Sequence, residues 1–142
     1  MADPRKIADR SGVGRRTAVY AYDSTITYSD QAPGGSTAVD LAVTLTGAGV
    51  VGLADDGDFV LGQLLIVEDD GFCTVQEGGH VKLPRGTGAA LTVGGPIVGD
   101  LLGSARGYIR DVNTGEAAEL AAGNGRVINA PAGDGTPAEI LL

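Results

Sequence analysis

A chain of 142 residues with 43% hydrophobic content holds one ordinary domain with a real core, and a second independent domain is not expected. A net charge of −8 argues against a duplex nucleic-acid binder, which needs a basic face, and the lone Cys73 excludes an intramolecular disulfide framework. With 24 Gly, no Trp, four Tyr and two Phe, any core is built from Val, Leu, Ile and Ala, a composition suited to sheets joined by many tight turns.

The charge is unevenly spread. Residues 1–16 carry Arg5, Lys6, Arg10, Arg15 and Arg16 against Asp3 and Asp9, a net +3 that leaves −11 on the remainder. This reads as a basic N-terminal arm, either solvated or suited to gripping an acidic protein surface. Within it "DPRKIADR" is compatible with one helical turn, Asp3 as N-cap and Pro4 in the first helical position, ended by Gly12 and Gly14. The segment has no apolar run of the kind a signal peptide needs. The longest uncharged stretch, Leu41 to Ala54, is too short and too rich in Thr and Gly to span a bilayer, so a soluble protein made in a reducing cytosol is expected.

From Thr17 the period changes to two. In "TAVYAYDSTITY", Tyr20, Tyr22, Ile26 and Tyr28 share one parity and Asp23, Thr25 and Thr27 the other, which predicts a strand with one buried face. The arm with this first strand spans 1–28. The polar loop "SDQAPGGS" follows, and 29–37 is expected to be flexible.

The body, 38–142, offers strands at "VDLAVTLT", "DFVLGQLLIVED", "FCTVQ", "HVKLP" and finally "PAEILL". The turns Asp70-Gly71 and Gly78-Gly79 predict hairpins, and Asn113-Thr114-Gly115 and Asn124-Gly125 repeat the device. A faint internal repeat relates "IVEDDGFCTVQEGGHVKLPRGTG" to "IRDVNTGEAAELAAGNGRVINAPAGDG", aligning Gly71 with Gly115, Gly79 with Gly125, Val81 with Val127 and Pro84 with Pro131. Local propensity in "EAAELAA" favours helix, but seven residues between glycines are few for one, and a strand is expected there.

Chemistry finds little purchase. His80 opens a strand with no nucleophile motif near it, and it reads as an exposed strand-edge histidine. Cys73 in "GFCTV" reads as a small core residue. "GAGVVG", Gly47 to Gly52, matches a dinucleotide fingerprint letter for letter, but "LADDGD" follows where a helix would have to open, so a turn or bulge between strands is expected. Asp55–Asp58 and Glu68–Gly71 lack the spacing of a calcium loop and read as solvated turns. No catalytic residue, cofactor site or metal site is predicted.

From Gly57 onward the order of glycine-flanked strands resembles the capsid decoration (head-stabilising) proteins of tailed bacteriophages. The closing pattern G-x-V-x-(N/D)-A … G-T-P-x-E-(I/V)-L-L is met by Gly125, Val127, Asn129, Ala130, Gly135, Thr136, Pro137, Glu139, Ile140, Leu141 and Leu142. The resemblance covers roughly residues 38–142 and rests on turn and strand patterns. It implies an all-β, Gly-rich β-barrel or β-tulip with an extended N-terminal arm. It also implies a non-catalytic virion protein on the outer capsid surface, often a homotrimer, clamping the major capsid protein without nucleic acid or membrane. Charge and position then make Arg5, Lys6, Arg10, Arg15, Arg16, Tyr20 and Tyr22 the candidate capsid contacts, with the first strand pairing to a neighbour's sheet edge. The final "PAEILL" is expected to be a barrel wall, with Leu141 and Leu142 either in the core or at a subunit interface. The competing readings are another virion subunit, such as a tail-tube or head–tail joining protein, and a small-ligand-binding β-barrel.

Overall fold

The computed structural model describes residues 15–142, which form ten strands, one short α-helix and a 3-10 turn at Pro33–Gly35. β1 (Arg16–Tyr22), β2 (Ala42–Gly47), β3 (Val50–Leu53), β4 (Gly62–Val67) and β5 (Phe72–Gly78) close a barrel in the order β1-β3-β2-β4-β5. β6 (His80–Pro84), β9 (Arg126–Asn129) and β10 (Pro137–Leu141) form a three-stranded sheet with β10 in the middle. β7 (Ile97–Leu102) and β8 (Ala105–Asp111) form a hairpin, and α1 (Ala117–Ala122) follows it. The expected all-β barrel fold is what the chain adopts. No helix among the described residues is long and apolar enough to cross a membrane.

Side-chain alternation places the core. Inward residues Val43, Val51, Leu64, Cys73 and Val75 fill the barrel with Ile26, Ala38 and Val67, and Tyr20 and Tyr22 pack against them. A second cluster joins the barrel to the other sheets through Ala42, Ala54, Val60, Leu83, Ile97, Ile109, Ala138 and Ile140. The buried hydrophobic side chains are aliphatic apart from Cys73, and both Phe59 and Phe72 are exposed.

Several expectations need correction. The first strand stops at Tyr22 and is a barrel stave, antiparallel to β5 along its length and parallel to β3 at its end. The barrel is therefore closed by strands drawn from residues 16–78. In the loop 29–37, buried Ser36 donates to the Thr27 carbonyl at 2.7 Å, and a Cβ on Gly35 (φ +90°) would strike the Val67 carbonyl oxygen of β4.

Asp70-Gly71 does turn the β4–β5 hairpin, with Gly71 at φ 91°, and Gly47–Gly52 does hold the β2–β3 turn. Gly78-Gly79 makes no hairpin; Gly79 (φ 85°) is where the chain leaves the barrel for the three-stranded sheet. Neither Asn113-Thr114-Gly115 nor Asn124-Gly125 joins two strands, because α1 lies between them. "EAAELAA" is thus helical, and the strand expectation there is wrong. "PAEILL" is a wall of the three-stranded sheet and not a barrel stave. Ile140 is fully buried, Leu142 packs against the core, and Leu141 is 42% exposed.

Candidate interaction surface

The first strand carries the predicted contacts Arg16, Tyr20 and Tyr22 and is only partly covered on its β3 side. Ala21 donates its N–H to the Gly49 carbonyl on the β3 side, and Tyr22 donates to the Gly71 carbonyl on the β5 side. Alternation then turns the backbone groups of Thr17 and Val19 toward the β3 side. β3 reaches only Ala21 and Tyr22, so from Arg16 to Tyr20 this edge has no partner strand among the described residues. Val19, in the middle of that edge, is 67% exposed. A strand edge with free N–H and C=O groups is a template for another strand.

Glu77 of β5 organises the base of this edge. The Tyr20 hydroxyl donates to Glu77 Oε2 at 2.6 Å, and Arg16 Nε lies 3.4 Å from Oε1. That hydrogen bond to a carboxylate, helped by burial, pushes the Tyr20 hydroxyl pKa up. Tyr22 donates its hydroxyl to the Glu68 carbonyl at 2.7 Å. Arg15 and Arg16 line a cavity of about 360 Å³ with Glu77, Gly78, Gly79 and Leu142. Tyr20, Tyr22 and Arg16 are thus held by local partners, while Arg15 is exposed and makes no ion pair among the described residues. Arg5, Lys6 and Arg10 lie outside the described residues.

Elsewhere, a polar cluster that sequence spacing does not reveal sits beside α1. Arg110 of β8 is buried to 9% exposure and donates to Glu119 through Nη1 at 2.9 Å and Nη2 at 2.5 Å, and to Asp56 Oδ1 at 2.9 Å. Asp100 lies 3.8 Å away. Glu119 also accepts the Asn113 N–H, and these donors hold its carboxyl at about 2, well below its ordinary 4.5. Asp56, Asp100, Arg110 and Glu119 line a broad open cavity of about 860 Å³. Here the guanidinium is committed to structural partners. The sequence offers no signal for this cluster because its members are 54, 10 and 9 residues from Arg110.

His80 is exposed at the start of β6, as expected. Cys73 is 1% exposed, and burial pushes its thiol up to about 11, which fits the expected core residue. Comparison of the chain with protein-family models, curated proteins and solved structures finds no match.

Proposed function

We propose that this chain is a non-catalytic capsid decoration protein of a tailed bacteriophage, seated on the outer surface of the head and bracing contacts between major capsid subunits. The observation that carries the reading is the open edge of β1. It lies directly after the basic N-terminal segment and, among the described residues, presents backbone groups with no partner strand beside the exposed Val19. Such an edge takes an extended strand from a partner, and Arg5, Lys6, Arg10 and Arg15 add attraction to an acidic surface. The resemblance of residues 38–142 to decoration proteins supports the same reading.

The packed interior is also in keeping with a scaffold. Val43, Val51, Leu64 and Val75 are fully buried inside the barrel, filling the space in which a ligand-binding barrel would keep a lumen. A clamp of this kind gains strength from many copies of a weak contact on one lattice.

The test is co-sedimentation of the purified protein with expanded heads lacking it, at rising salt. Saturable binding that weakens with salt, and that is lost when residues 1–14 are removed, is the expected result. Heads that never retain the protein under any salt condition contradict the proposal.

A further inference from the structure

We infer that the outer face of the three-stranded sheet docks the acidic β4–β5 turn of a second copy of this chain. Four arginines among the described residues, Arg16, Arg85, Arg106 and Arg110, are each ion-paired. The remaining bases, Arg15, Lys82 and Arg126, have no such pair among those residues, and all three gather on or beside this sheet. The strand register places His80, Leu141 and Arg126 in one row across β6, β10 and β9, with Lys82 in the next row opposite Glu139. Arg15 lines the adjoining cavity with Gly79 and Leu142. Leu141 and Ile128, each 42% exposed, give this basic face an apolar centre. Glu139 is its one strand carboxylate and is partly buried.

The complementary surface is on the same molecule. Glu68, Asp69 and Asp70 are consecutive, exposed and free of ion pairs among the described residues. Ile66 and Phe72, 47% and 48% exposed, flank them. An acidic tip with apolar shoulders therefore faces outward at one end of β5, and a basic face with an apolar centre begins at the other. β5 separates the two by roughly 20 Å, at the ordinary rise per strand residue. One molecule cannot bring its own turn to its own sheet, whereas a second copy can. The contact joins two different patches, so it is head-to-tail and closes into a ring or propagates. It needs no capsid, and its failure leaves the shell reading standing.

The experiment is sedimentation velocity on the full chain across a concentration series at low salt. One variant carries Lys82→Glu with Arg126→Glu, and the other carries Glu68→Lys with Asp69→Lys. These side chains are exposed, so both variants are expected to stay folded, with a small loss from the Glu pair that Lys82→Glu creates opposite Glu139, and melting temperatures check this first. The wild type is expected to self-associate, and each variant alone to do so about tenfold more weakly or not at all. Mixing the two variants is expected to restore a complex, because the acidic turn kept by the first fits the basic sheet kept by the second, and the two charge-reversed surfaces fit each other. A wild type that stays monomeric, association indifferent to both variants, or a mixture that does not associate would each overturn the inference.

Discussion

Arg110 and Glu119 face each other in a two-point ion pair, with Nη1 and Nη2 donating to the two carboxylate oxygens at 2.9 and 2.5 Å. The pair ties α1 to β8. Six residues without a buried side chain are too few to hold a helix by propensity alone, so this tie and the Gly123 N–H donated to the Glu119 carbonyl fix it in place. Glu119→Gln leaves the guanidinium short of a charge and is expected to cost about 2 kcal/mol, read by urea denaturation.

The same pair sets a pH dependence. The Glu119 carboxyl is held at about 2 in the folded chain against an ordinary 4.5. A folded pKa below the unfolded one gives stability that is complete above the unfolded value. That stability is lost as pH falls from about 4.5 toward about 2. Denaturation midpoints should fall across that window in the wild type, and less steeply in Glu119→Gln.

Ile140 is the keystone of the three-stranded sheet. It is fully buried, with Val81 opposite on β6 and Val127 opposite on β9. Ile140→Ala removes buried methyl groups at a site walled on both sides, and a loss of about 3–4 kcal/mol is expected from chemical denaturation.

Gly35 lets the 29–37 segment lie against β4. A Cβ there meets the Val67 carbonyl, and the φ of +90° is one that L side chains rarely adopt. Gly35→Ala should cost on the order of 2–3 kcal/mol, with faster amide exchange confined first to this segment.

Cys73 offers a probe of global opening. Its thiol is buried and pushed up to about 11, so it should resist a thiol reagent at pH 8 in the folded chain. Labelling should then follow the global unfolding rate. Rapid labelling of the folded protein would contradict the packed barrel interior.

How much of this was legible in the sequence differs by element. The hairpin at Asp70-Gly71 could be read because its turn chemistry and its flanking alternation are local. The faint repeat also has a structural trace, since Val81 and Val127, aligned in it, flank the same Ile140 from opposite sides. The Gly78-Gly79 turn looked the same in sequence, yet it sends β6 to pair with β10, more than 50 residues later. The strand expectation at "EAAELAA" fails because the helix's decisive partner, Arg110, lies on another element. The open edge of β1 was equally hidden, because strand alternation in 17–22 says nothing about how far β3 extends.

Seating on the capsid is read from the copy number of this chain in purified phage particles, as its ratio to the major capsid protein by quantitative mass spectrometry. A lattice-wide decoration protein gives a ratio near one or a simple fraction of it. A handful of copies per particle, or none, would contradict this reading.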